Sequence, residues 1–295
     1  MNKSLLSRVA SKLLPRKATP EVVRPNFVGI GFPKVGNTWL RMSLGKYVQL
    51  EVGSEKVFLL DAGEFDALRS MSSPLIGQFS HRPLEWETQT AEDLNAANVF
   101  EEAGDMRVVL LIRHPLDALV SLYMQNKHRD PVNPYAGSLI EMVDDSVLGL
   151  QKYINFYNIW ATRLNDPERV HLWRYEDART NPAAELKAIL VFLGLRPNEA
   201  HVTEAVKYGS FDNMKSMELR GDEPKYASSG FSAFATGDRS NNNALHVREG
   251  QVGSYFKHFS AGELERLHRI IADQLDDRYG YREKLDPGNN GSAPA

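Results

Sequence analysis

The sequence predicts an α/β chain: a single domain with a central parallel sheet flanked by helices. Two observations carry this. Short apolar runs of strand length alternate with longer stretches of helical spacing, the order that lays parallel strands beside one another with helices on both faces. The first two core strand candidates also run straight into loops that open helices, at Pro33–Thr38 and at Arg113–Pro115. In open parallel sheets ligands bind beyond the carboxyl ends of the strands, so a site is expected on the rim marked by Lys34 and Arg113.

The elements follow in order. Asn26–Phe32 is a short apolar run stopped by Pro33 and reads as a buried strand. Thr38–Leu50 has helical spacing. Leu75–Phe79 is strand-like, and Met106–Ile112 is a stronger strand. A helix over Leu116–His128 follows, with Pro115 suited to its first turn. Leu139–Leu164 reads as one long helix or two consecutive ones. Its aromatic stripe, Tyr153, Phe156, Tyr157 and Trp160, points to core packing. Arg169–Trp173 is the third core strand. Asn181-Pro182 caps a helix ending near Gly194, and Pro197–Lys207 is a further short helix. Gly221–Asn243, rich in Gly, Ser and Asn, is a long loop, read as a lid in preference to a disordered insertion. Ser260-x-x-Glu263 is a capping box for a last helix to about Asp277.

Composition narrows the function. The 295 residues, 42% hydrophobic and 25% charged, suffice for one large domain, assigned to residues 23–284. Net charge is −3, so no global basic footprint for nucleic acid is present. The absence of cysteine excludes disulfides, thiolate metal sites and a cysteine nucleophile, and favours a cytoplasmic setting. No apolar run approaches the ~18 residues of a membrane span. Residues 1–22 form a basic tail or helix, with Lys3, Arg8, Lys12, Arg16 and Lys17 set against Leu5, Leu6, Val9 and Leu13. That segment lacks the apolar block of a signal peptide. Residues 285–295 read as a disordered tail.

Gly31 to Thr38 has the Gly-x-x-x-x-Gly-x-Thr frame of a phosphate-binding loop, but Asn37 stands where a Walker lysine belongs. Lys34 lies three residues earlier. Backbone N–H groups of Val35, Gly36, Asn37, Thr38 and Trp39 are placed to wrap an anion, with Lys34 adding charge. The displaced lysine argues against ATP with Mg²⁺. On the second strand, Arg113 and Ser121 are eight residues apart, about two helical turns, and share one side. Such a pair can grip a second phosphate; alone it also fits a surface arginine and an ordinary helical serine.

Together these segments resemble the sulfotransferases that use 3′-phosphoadenosine-5′-phosphosulfate (PAPS). Pro33-Lys34-Val35-Gly36-Asn37-Thr38-Trp39-Leu40 is similar to their 5′-phosphosulfate loop, and Arg113 to Ser121 to their 3′-phosphate segment. Arg174-Tyr175-Glu176-Asp177 resembles a segment whose tyrosine contacts adenine. Ser210-Phe211-Asp212-Asn213-Met214-Lys215 resembles one beside the adenosine. Arg248-Glu249-Gly250-Gln251-Val252-Gly253 resembles the loop that closes over the 3′-phosphate, contributing residues Val247 to Gly250. Val35 and Asn37 depart from the pattern, each removing a hydroxyl, and Glu249 replaces a basic residue, so its side chain is not expected on the phosphate.

The resemblance implies a P-loop fold like that of nucleotide kinases, with PAPS as donor and 3′-phosphoadenosine-5′-phosphate (PAP) as product. No metal is called for. Lys34 then stabilises the leaving oxygen, and Ser121 holds that lysine in the resting complex. The base is His81, in Ser80-His81-Arg82-Pro83, one of eight histidines; Glu85 and Glu87 are the alternatives. His114, beside Arg113, is read as supporting rather than reacting. Asp117 is read as a dipole or capping residue. Phe79 stands where several relatives carry an auxiliary lysine. The acceptor is a hydroxyl or amine on a small molecule, lipid or short glycan. Its pocket is expected from Asp61–Glu87, Gln125–Ser146 and Gly221–Asn243, and the oligomeric state stays open. Two rivals remain: a small-molecule kinase using Asp61 after a strand at Val57–Leu60, and a nucleotide-binding scaffold without catalysis.

Overall fold

The computed structural model describes residues 25–81, 85–129, 134–234 and 238–282. The expected basic segment and C-terminal tail lie outside these residues. Four strands form one wholly parallel sheet in the order β2-β1-β3-β4, with β1 Phe27–Gly31, β2 Gly77–Ser80, β3 Arg107–Ile112 and β4 Val170–Arg174. The predicted fold class is the one found. Between and after the strands lie α1 (Asn37–Val52), α2 (Phe65–Ser70), α3 (Ala96–Phe100), α4 (Pro115–His128), α5 (Leu139–Val143) and α6 (Leu150–Ala161). The series continues with α7 (Tyr175–Thr180), α8 (Pro182–Phe192), α9 (Glu199–Tyr208), α10 (Phe211–Arg220) and α11 (Ala261–Gln274).

Strands β1 and β3 are buried on both faces, as their unbroken apolar runs require: every residue of Val108–Ile112 is buried. Register then fixes the site. Ile30 lies beside Ser80, Gly31 beside Leu111, and Ile112 beside Arg174. The four strands therefore end on one rim, and the residues that follow them are Lys34, His81, Arg113 and Tyr175.

Several elements differ from expectation for local reasons. The stretch 139–164 is two helices, because the Asp145 carboxylate accepts the N–H groups of Val147 and Leu148 (2.7 and 2.8 Å) and turns the chain between them. Short α2, α3 and α7 carry too few residues for periodicity to show. Val57–Leu60 is not a strand. Asp61 there caps a 3₁₀ turn at Ala62–Glu64, accepting from Gly63 N at 2.8 Å. The 221–234 part of the long loop is held as well: Lys225 and Ser232 form an antiparallel bridge, and Ser228 N and Oγ donate to Asp61 (3.4 and 3.3 Å). The capping box at Ser260 and Glu263 is present as read.

Candidate active site

The loop after β1 is shaped by two left-handed residues, Lys34 (φ 68°) and Gly36 (φ 106°). At Lys34 this conformation is strained, by roughly 1–2 kcal/mol for a residue with a Cβ. At Gly36 a Cβ would lie 2.9 Å from the Tyr175 ring and 3.1 Å from Trp173, so glycine is required twice over. No side chain caps α1 at Gly36, which leaves its first N–H groups facing the rim. The aromatic stripe on α6 does more than pack. Tyr153 OH donates to Pro33 O at 3.0 Å, and Tyr157 OH donates to Arg113 O at 2.8 Å while accepting from Arg113 N. Buried phenols thus hold the backbone of both anion-facing segments.

The loops line a cavity of about 350 Å³. Lys34, Gly36, Asn37, Thr38, Trp39, His81, Arg113, Ser121, Tyr175, Phe211, Met214, Val247, Arg248, Glu249 and Gly250 all contribute to its wall. Val35 and Ser210 are not among these wall residues. Val35 turns its side chain into the core, where it is fully buried, which leaves the expectation for its backbone N–H untouched. The Ser210 hydroxyl caps α10, accepting from Asn213 N at 3.3 Å, and leaves the cavity wall to Phe211 and Met214.

On one side of the cavity sits Arg113, whose guanidinium lies 4.3 Å from the Tyr175 ring centroid and donates to Gln251 O at 3.0 Å. Its Nε is buried without a partner, an unused donor beside the cavity. Asp117 departs from the capping role: its carboxylate accepts from Gly253 N (2.7 Å), Tyr255 N (3.0 Å) and Ser254 Oγ (3.1 Å). Arg113 and Asp117 together therefore clamp the 248–255 segment onto the start of α4. His114 is structural: its Nδ1 accepts from Leu116 N, it stacks on Tyr255 at 4.6 Å, and burial holds it neutral, down to about 4.

Toward the other side, Lys34 Nζ donates to Gln125 Oε1 at 2.9 Å, one turn of α4 beyond Ser121. Gln125 thus holds Lys34 here, and Ser121, expected to hold it in the donor complex, lines the same cavity one turn away. Burial, then Arg129 and Arg113, push Lys34 down to about 7, with Glu218 opposing. His81 Nδ1 lies 3.0 Å from Gly31 O and 3.0 Å from the Asn37 amide. A carbonyl only accepts, so Nδ1 carries the proton and donates it to Gly31 O; the Asn37 amide faces the ring with Nδ2, and turning it over would bring its unpartnered oxygen onto Nδ1 instead. Nε2 is left as the basic nitrogen. Burial, opposed by the Gly31 carbonyl and aided by Arg41 and Lys34, pushes His81 down to about 4, so it is neutral at physiological pH.

Three wall residues escaped the sequence reading, Arg179, His246 and Ser254, while Trp86 and Gln125 fall in stretches expected to form the acceptor pocket without having been singled out. Gln125 stands four residues after Ser121 and Arg179 four after Tyr175, so helical spacing was the available signal. Glu87, one of the alternative bases, also lines the cavity, with Trp86 at 6.4 Å from His81. Among the described residues no group of three or more His, Asp or Glu is arranged to hold a metal, and no helix is long and apolar enough to cross a membrane.

A parallel sheet with a glycine-containing loop between its first strand and α1, and a neutral histidine and a lysine lining one cavity, defines a P-loop-like α/β fold. The chain belongs to the sulfotransferase family, whose sulfotransferase domain matches residues 25–279. Cytosolic sulfotransferase 17 of Arabidopsis thaliana is 23% identical over 85% of this chain and 75% of its own length. Cytosolic sulfotransferase 15 of the same plant is 25% identical, but the match spans 59% of this chain and only 48% of that relative. Mouse sulfotransferase SULT7A1 complexed with PAP superimposes with a TM-score of 0.59 at 19% identity, over 88% of this chain and 86% of that one. Retinol dehydratase in complex with androsterone and PAP does so at 0.59 and 14% identity, over 90% and 84%. These likenesses show the shared fold, in proteins that bind PAP and, in the second, a small-molecule ligand.

Proposed function

We propose that this chain is a cytoplasmic, PAPS-dependent sulfotransferase that needs no metal and moves a sulfuryl group to a hydroxyl or amine of a small-molecule, lipid or short glycan acceptor. The observation that carries the reading is that Lys34 and a neutral His81 line the same cavity. Arg113, Ser121 and Arg248 take the 3′-phosphate. Tyr175, Trp39, Phe211 and Met214 take the adenine side. His81 Nε2 accepts the acceptor's proton as the new O–S or N–S bond forms in line with the breaking S–O bond to the 5′-phosphate. Lys34 neutralises the charge that gathers on that leaving oxygen, the kind of electrostatic stabilisation that dominates transfers with loose transition states. PAP-bound and androsterone-bound structures of the same fold support the donor class and a small acceptor.

The kinase rival loses its strand-end carboxylate, since Asp61 caps a turn and binds Ser228. Calorimetry separates the two: PAP is expected to bind more tightly than ATP with Mg²⁺, and the reverse order would sink the sulfotransferase reading. Replacing His81 with Ala tests the base and the non-catalytic rival together. Transfer of labelled sulfate should fall by about 10²–10⁴-fold with PAP affinity nearly intact. Full activity in that variant would remove His81 from the mechanism.

A further inference from the structure

We propose that Glu249 is a built-in competitor for the donor's 3′-phosphate, its carboxylate seated on Arg248, the cation that phosphate needs, and so weakens retention of the spent nucleotide. The inference rests on the reading that Arg113, Ser121 and Arg248 face the 3′-phosphate.

The geometry is that of an anion already in place. Arg248 Nη1 donates to Glu249 Oε1 at 2.7 Å, and both side chains line the cavity. The arginine side chain is 11% exposed and the glutamate 28%, so solvent screens the pair only in part. Glu249 Oε2 is buried without a hydrogen-bond partner, as is Arg113 Nε. A carboxylate oxygen without a donor and a guanidinium nitrogen without an acceptor thus stand among the groups assigned to one phosphate.

The backbone on both sides of Glu249 is held by hydrogen bonds, which oppose removal of the carboxylate by a movement of the loop. Lys215 Nζ donates to Arg248 O (3.3 Å) and Asn242 Oδ1 (2.9 Å). Gly250 sits at φ 62° where a Cβ would lie 2.5 Å from the Phe211 ring. Gln251 and Gly253 are held by Arg113 and Asp117. With the backbone held, rotation of a side chain is what frees Arg248, and the Glu249 carboxylate still shares the cavity with the incoming phosphate. Both the lost ion pair and the remaining like charge oppose binding at that end. Neither acts on the 5′ end of the nucleotide, which meets the loop after β1.

The test is calorimetric titration of the full chain with PAP and with adenosine 5′-monophosphate, which lacks the 3′-phosphate, in wild type, Glu249→Gln and Glu249→Asp. Glutamine keeps size and a hydrogen-bonding oxygen but removes the charge. Glu249→Gln should bind PAP about tenfold more tightly, the scale of one relieved like-charge contact, with 5′-monophosphate affinity unchanged. Glu249→Asp keeps the charge and should stay near wild type. Stopped-flow release of PAP should slow in Glu249→Gln by the same factor as the affinity gain. Unchanged or weaker PAP binding in Glu249→Gln, with 5′-monophosphate binding intact, overturns the inference alone. Wild type that binds PAP no better than 5′-monophosphate overturns the placement of the 3′-phosphate and this inference with it.

Discussion

The two halves of the cavity are held in different ways. The half assigned to the nucleotide is anchored by buried polar groups on the backbone: Tyr153 and Tyr157 on the ends of β1 and β3, and Arg113 with Asp117 on the closing loop. The half assigned to the acceptor is assembled from separate turns that side chains staple down. Lys152, fully buried on α6, donates to the carbonyls of Trp86 and Gln89, and Asn155 Nδ2 donates to Ala91 O at 2.8 Å. Arg129 Nη2 donates to Phe234 O at 2.7 Å and Nη1 to Gln125 Oε1 at 3.0 Å, tying the 221–234 segment to the helix that holds Lys34. A charged donor of fixed shape suits a rigid backbone cradle. A wall that can be altered one residue at a time suits a variable acceptor.

The sharpest way to break this division is at the residue that belongs to both halves. Lys34→Ala should slow turnover by roughly 10²-fold or more, the scale of losing one preorganised charge in a water-excluded site. Its effect on PAP affinity should be much smaller, because Arg113, Arg248 and the loop N–H groups remain. Single-turnover transfer with labelled PAPS, beside PAP calorimetry, checks both; a wild-type rate would count against the assigned role of Lys34.

Next is the staple. Lys152→Met keeps the length of the side chain and leaves two carbonyls without their donor, at a cost of about 1–3 kcal/mol each when buried. The turn carrying Trp86 should loosen, raising KM for the acceptor by about tenfold while PAP affinity holds, with a lower melting temperature. An equal rise in the PAP dissociation constant would show that the halves are not mechanically separate.

What was legible in the sequence follows the same division. The nucleotide half is written in contiguous stretches, Pro33–Leu40, Arg113–Ser121 and Arg248–Gly253, because a loop that wraps a phosphate must supply its groups from consecutive residues. The buried strands were legible for the simple reason that β1 and β3 need apolar residues on both faces. The acceptor half is made of single residues from distant segments. Lys152 looks like any helical lysine until the turn it holds is seen beside it. The 221–234 segment shows no periodicity because a one-bridge hairpin needs none; it is held by Asp61, more than 160 residues earlier, and by Arg129. Arg248 and Glu249 are adjacent in sequence, yet only the cavity shows that their pairing competes with a ligand.

The smallest expected effect separates the halves by pH. Lys34 is held at about 7 by burial and by Arg129 and Arg113, so a rising share of it is neutral above that pH. A bound 5′-phosphate returns the negative charge and raises its pKa, so binding takes up a proton above pH 7. The sign follows: PAP affinity from this residue is full below about 7 and declines as pH rises through it. With the bound pKa well above 8, the loss between pH 7 and 8 is about fivefold. Calorimetry in buffers of different ionisation enthalpy reads the proton uptake directly, and Lys34→Ala should abolish it. His81, held down to about 4 on the other side, stays neutral throughout this range, so the base contributes nothing to the slope. A slope that survived in Lys34→Ala would place the titrating group outside this lysine. A flat wild-type profile would mean that Lys34 keeps its charge unaided, because its ammonium is less buried in solution, or the arginines around it farther off, than the cavity shows.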